Sequence, residues 1–200
     1  MTARTPLHRR TVTVTAYERG DQEVEVEAEL CDERPWARPD SGGGAGDGGS
    51  AAVIHRMALT VVVRLADKQI TEARADMRTF PHAECPRITP AFEGLVGLSV
   101  GSGFNRGVQE RFRGVSGCSH LYELARLLGP AVVQVGISAN ARRRLAGEPS
   151  HDPRSTAGVL NSCHIWAPEG VGLRKLEAGW QPGRGPFPVP ELDAFQRPGS

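Results

Sequence analysis

The chain holds 200 residues with a formal net charge of +1, and its 24 glycines stand beside 15 prolines. That length supports one packed domain of about 130–150 residues, with the remainder in loops and tails. The near-balanced charge argues against nucleic acid or an anionic membrane as partner, and no apolar run approaches the ~18 residues of a membrane span.

Met1 to Arg10 is polar and basic with no apolar stretch behind it, so no signal peptide is expected and the expected compartment is the cytoplasm. Thr11 to Tyr17 is rich in β-branched residues and reads as a strand. Glu18 to Asp21 is a turn. Val24, Val26, Ala28 and Leu30 then alternate with Glu23, Glu25, Glu27 and Glu29, the pattern of a strand with one buried face and one wet acidic face. Residues 1–33 are thus expected to form an N-terminal hairpin. Cys31 at its end reads as a small buried apolar residue. Residues 34–52, rich in Gly and Pro, read as a flexible loop that carries no chemistry.

Val53 to Leu65 is the strongest strand. Val53, His55, Met57, Leu59, Val61, Val63 and Leu65 share one face. Ala66 to Lys68 reverses the chain, and Ile70 to Phe80 returns as the second arm of a long hairpin. His55 falls on the apolar face near the hairpin's open end. Pro86 suits the first turn of a helix striped by Ile88, Phe92, Leu95 and Val96 and ended by Gly97. Phe104, Val108 and Phe112 mark a second short helix. Ser116 is placed to cap a third, striped by Leu121, Leu124, Ala125 and Leu128 and stopped or kinked at Gly129-Pro130. Ala131 to Leu145 suits a fourth. Residues 53–145 then form the core, and 146–200 a C-terminal extension, partly disordered, with an apolar island at Asn161 to Trp166. Strands first and helices after predict an α+β fold: an antiparallel sheet of two hairpins with three to four helices packed on one face.

The chemical signal is thiol and imidazole. Three of the four cysteines have a histidine within three positions: His82 before Cys85, His120 after Cys118, His164 after Cys163. Chance places a histidine that close to a given cysteine only about one time in six. Cys118 would fall in the first turn of a helix capped by Ser116, where free N–H groups favour a thiolate. Cys85 sits at another loop-to-helix junction with His82 in reach. Zinc and iron accept such S and N donors, but no Cys-x-x-Cys pair is present, so a site must be assembled from separate elements. Gly101 to Gly107 reads as a turn before a helix rather than a phosphate cradle, and no nucleophile elbow is visible.

The residues His55-Arg56-Met57, Ile70-Thr71-Glu72-Ala73, Pro81 to Cys85 and Gly117-Cys118-Ser119-His120-Leu121 together resemble the bacterial domain of unknown function 2889 family. Residues 53–135 also resemble iron–sulfur scaffold proteins of the NifU/IscU type. Met57 to Val61 is similar to the scaffold's first strand, Ile70 to Arg74 to its second, Cys85 to its second ligand and Cys118 to its third. His55 stands where the scaffold has its aspartate. The scaffold's first cysteine would fall near Val53 and is missing, and its histidine before the last cysteine is Gly117 here. The resemblance therefore implies a two-Cys, two-His set of His55, Cys85, Cys118 and His120. Such a set suits one zinc or iron ion better than a transferable cluster. Glu84 or Glu123 would support His55.

The expected function is a Cys/His metal protein, a small metalloenzyme of lyase or hydrolase type acting on a small organic molecule. His82 and Glu84 are the candidates for proton transfer. An iron–sulfur carrier is the alternative, and a structural metal site in a binding module the third.

Overall fold

The computed structural model describes residues 4–37, 52–101, 103–149, 159–182 and 185–196. Most of the glycine-rich loop expected at 34–52, and parts of the C-terminal extension, lie outside them. The chain divides into two compact units, Met1–Val132 and Val133–Ser200.

The first unit is built on a four-stranded antiparallel sheet in the order β1 (Arg9–Arg19), β2 (Glu23–Arg34), β3 (Ala52–Arg64), β4 (Gln69–Thr79). The two expected hairpins therefore join through β2 and β3 into one sheet. The first turn passes through Gly20 at φ +66°, a left-handed conformation that glycine adopts without a Cβ clash. The second is held by Asp67, which accepts from the Gln69 N–H at 3.1 Å and pairs with Arg64 at 2.7 Å.

The alternation on β2 is realised in full. Val24, Val26, Ala28 and Leu30 are buried, and the glutamates between them are half-buried. The buried face runs one step further than the apolar run suggests: Asp32, next in the alternation, is only 1% exposed. Cys31 points to the opposite face and is half-buried rather than buried, with an Arg56 nitrogen 3.9 Å from its sulfur. On β3 every residue from Met57 to Val63 is buried. Ala58, Thr60 and Val62 lie between Glu29, Glu27 and Glu25 of β2 and Asp76, Arg74 and Glu72 of β4. The aliphatic stems of such long charged side chains cover apolar neighbours while their heads stay wet.

The helical half departs from expectation in three places. The segment Cys85–Leu95 is a 3₁₀ helix rather than an α-helix, with Pro86 at its start and Pro90 inside it. Pro86 stands in the first turn, where no N–H is needed, but Pro90 removes a donor that an α-helical ladder would use. Its Phe92 and Leu95 are fully buried, and Phe92 stacks on Phe112 with ring centroids 4.6 Å apart. Phe112 closes α1 (Phe104–Phe112), whose buried Phe104, Val108 and Phe112 are the expected stripe. A short 3₁₀ turn, Gly114–Ser116, follows, so Ser116 caps nothing. The cap is Cys118, whose carbonyl accepts from the Tyr122 N–H at 2.8 Å. From there α2 runs unbroken over Ser119–Leu145. Gly129-Pro130 neither stops it nor divides it into two helices. Gly129 lets the Phe104 ring lie against the helix backbone, and Leu121, Leu124, Ala125, Leu128 and Val132 bury the α2 stripe across Pro130. Packing of that stripe outweighs the single lost hydrogen bond.

The second unit contains the end of α2, a 3₁₀ turn at His164–Trp166, α3 (Val171–Glu177) and α4 (Asp193–Gln196). Trp166 and Trp180 lie with ring centroids 6.3 Å apart, and Cys163 is exposed. Among the described residues no helix is long and apolar enough to cross a membrane.

Candidate metal centre

Three adjacent strands place one residue each on a line across the sheet: Arg10 of β1 pairs with Asp32 of β2, and Asp32 with His55 of β3. Two register shifts flank this line, between Asp32 and Glu33 on β2 and between Arg56 and Met57 on β3. Such bulges twist a strand locally and re-aim its side chains. Onto this corner α2 brings its first turn. Gly117 makes that approach possible, because any Cβ there would collide with the Phe112 carbonyl oxygen. Cys118 then lies with its sulfur 4.0 Å from the Met57 sulfur, and His120 stacks at 37° on His55 with ring centroids 4.0 Å apart.

Asp32 is the centre of the group. Arg10 grips it with two nitrogens, Nε to Oδ1 and a terminal nitrogen to Oδ2, both at 2.8 Å. His8 Nε2 lies 3.1 Å from Oδ1. His55 Nδ1 and His120 Nε2 both face Oδ2, at 3.0 and 3.4 Å. A carboxylate offers about four acceptor positions. Arg10 and His8 take three, and the fourth is aimed at two imidazole nitrogens at once. Arg10 is itself held by Glu123, which accepts its remaining terminal nitrogen at 2.6 Å.

The electrostatics follow from these contacts. Burial alone would raise the Asp32 pKa, but the hydrogen bond and charge of Arg10, with hydrogen bonds from His55 and His8, hold it well below the usual carboxylate range. His120 is pushed below its ordinary value, first by burial and next by the neighbouring His55. The site thus presents an ionised carboxylate beside a histidine biased to its neutral form, the state in which imidazole ligates metals. Asp32, His55 and His120 form a group that could hold a metal ion, each offering one donor atom within 4.8 Å of the others. Metal bonds of about 2.1 Å at angles between octahedral and tetrahedral set neighbouring donors about 3.0–3.4 Å apart. The two Asp32–His separations match that spacing.

Of the residues singled out in the sequence, the fold brings together His55, His120 and Cys118. The Cys118 sulfur lies 3.8 Å from Nδ1 of His120, the nitrogen opposite the one facing Asp32. Cys85 is half-buried at the start of the 3₁₀ helix, and His82 and Glu84 are exposed in the turn before it. Among the described residues, none of these three joins the group around Asp32. The partner of His55 is Asp32, not Glu84 or Glu123, and Glu123 supports Arg10 instead. Asp32, Arg10 and His8 were missed. The available signal was the alternation itself, which puts the Asp32 carboxylate on the face of Val24, Val26, Ala28 and Leu30. Cys163 and His164 belong to the second unit.

An α+β domain with an Asp/His group centred on a buried carboxylate, at the junction of three strands and a helix start, is the class that this geometry defines. The chain belongs to the family described as protein of unknown function (DUF2889), whose model matches residues 8–134. The match opens on His8 and includes every residue of the group. No curated protein and no solved structure matches the chain, and nothing in these comparisons supports the iron–sulfur scaffold likeness.

Proposed function

We propose that the protein binds one divalent transition-metal ion, zinc or iron, through Asp32, His55 and His120, and uses it on a small organic substrate. The observation that carries this reading is the fourth acceptor position of Asp32. One lone pair cannot accept well from two imidazoles, whereas a cation between them satisfies all three groups. Two histidines and a carboxylate on one side of an ion leave positions open for water or substrate, as in catalytic zinc and non-haem iron sites. A bound divalent ion would polarise a substrate oxygen or lower the pKa of a bound water.

The chain's own residues have distinct tasks in this reading. Arg10 fixes the carboxylate plane and keeps Asp32 ionised. Cys118 acts on the far nitrogen of His120: with Nδ1–H directed at sulfur, the Nε2 lone pair is free to ligate. Cys118 is then a positioning residue rather than a ligand. His8, about half exposed and 3.1 Å from the buried carboxylate, would carry protons between solvent and the group, whereas His82 and Glu84 lie outside it. The iron–sulfur carrier reading keeps little: clusters of that kind are held by several thiolates, and the group around Asp32 contains none.

The test is metal and sulfide analysis of anaerobically purified protein, followed by zinc titration of the metal-free form. One metal per chain and no sulfide is the expected result, with Asp32→Ala and His55→Ala each weakening zinc at least about 100-fold. Stoichiometric sulfide, or zinc binding unaffected by both substitutions, would overturn the reading.

A further inference from the structure

A surface cleft of about 540 Å³ lies beside the first turns of α2, lined by Asn105, Ser119, Tyr122, Glu123, Arg126, Leu127 and Pro130. That volume suits a metabolite-sized ligand. It adjoins the Asp/His group through two residues. Ser119 lines the cleft and immediately precedes His120. Glu123 lines it too, and its carboxylate grips Arg10, which grips Asp32.

The charges in the cleft are unequally satisfied. Glu123 shares Arg10 with Asp32; the guanidinium reaches the two carboxylates at 2.6 and 2.8 Å respectively. Arg126 lies over the Tyr122 ring, 5.8 Å from its centroid, and among the described residues it has no carboxylate partner. The Arg126 side chain is exposed, and its guanidinium offers N–H donors suited to a bidentate carboxylate. Asn105 and Ser119 add an amide and a hydroxyl, while Leu127, exposed at 36%, and Pro130 supply an apolar wall.

We propose that this cleft is the substrate-recognition subsite of the metal centre, and that it takes a small organic acid. The carboxylate pairs with Arg126, the hydroxyl and amide of Ser119 and Asn105 complete its hydrogen bonds, and the apolar body lies on Leu127 and Pro130. Only the word substrate rests on the metal reading; the binding of an organic acid does not. The Glu123–Arg10–Asp32 chain then links an occupied cleft to the orientation of the carboxylate in the metal site.

The experiment is a titration of the full-length, metal-free protein with benzoate, followed by backbone amide NMR, with inorganic phosphate as the comparison ligand. Benzoate is expected to shift the amides of Ser119, Tyr122 and Arg126 saturably. Arg126→Gln should weaken it at least about tenfold, the worth of one charge-assisted bidentate pair. Asp32→Ala, which removes the metal site, should leave benzoate binding within about twofold, because the two sites are separate in composition. Absent or unsaturable shifts, or unchanged affinity in Arg126→Gln, overturn the proposal. Phosphate binding as tightly as benzoate overturns the apolar-wall assignment. A failure of zinc titration leaves this test intact, and a failure here leaves the zinc titration intact.

Discussion

At the scale of single residues, Asp32 organises the corner where the sheet meets α2. It is 1% exposed and held by Arg10 from two directions. Asp32→Ala should cost about 2–4 kcal/mol, because it leaves a guanidinium and three imidazoles without their common acceptor; urea unfolding of the metal-free variant measures it. His120 gives a pH prediction with a definite sign. Its folded pKa is lowered, by burial first and by His55 second. Below about pH 6.5 the unfolded chain therefore takes up this proton before the folded one does. The stability contribution of His120 is complete above that value and is lost as pH falls through its folded pKa. Denaturation curves of metal-free protein should show stability falling with acidification in this window, and His120→Gln should show a shallower fall. His55 and His120 were legible in the sequence because histidine on an apolar strand face, and histidine beside a helix-starting cysteine, are conspicuous. Asp32 was legible in principle from strand parity. Arg10 and His8 were not, because their meeting with Asp32 depends on the pairing register of β1 with β2, which a turn of several residues leaves open.

At the scale of elements, periodicity located β2, β4 and α1 because each buries one face with a regular repeat, while β1, which buries no residue, was legible from its β-branched residues and β3 from its long apolar run, buried on both faces from Met57 to Val63. It failed where local rules and packing disagree. Pro130 breaks helices in isolation, yet α2 continues through it because Leu121, Leu124, Leu128 and Val132 bury a stripe on both sides. Ser116 has the side chain of a cap, but the close approach of Gly117 to the Phe112 carbonyl sets the helix start two residues later. That approach makes Gly117 the link between the α1 core and the Asp/His group. Gly117→Ala should destabilise the fold by about 1–3 kcal/mol and displace Cys118 and His120 together. The check is a paired measurement of urea midpoint and zinc affinity, both of which should fall. Phe92→Ala removes a fully buried ring stacked on Phe112. It should cost about 3–5 kcal/mol in the same unfolding assay.

At the scale of the whole molecule, the family match over residues 8–134 nearly coincides with the first compact unit, Met1–Val132. Every residue of the Asp/His group lies within both. A chain ended after Leu145, which keeps α2 whole, should therefore fold and bind zinc as the full chain does; circular dichroism and zinc titration of that truncation check it. The near-zero net charge gives the molecule no long-range field to steer a charged partner, so recognition falls to local groups such as Arg10 and Arg126. The central claim is that one divalent ion sits on Asp32, His55 and His120 with Cys118 outside its ligand shell. Cobalt(II) titration of the metal-free protein, followed by visible absorption, tests it most directly. The account predicts one equivalent bound per chain, ligand-field bands without thiolate-to-cobalt charge transfer, and loss of both binding and bands in Asp32→Ala. Strong thiolate charge transfer that disappears in Cys118→Ser or Cys85→Ser, or full binding in Asp32→Ala, would contradict it.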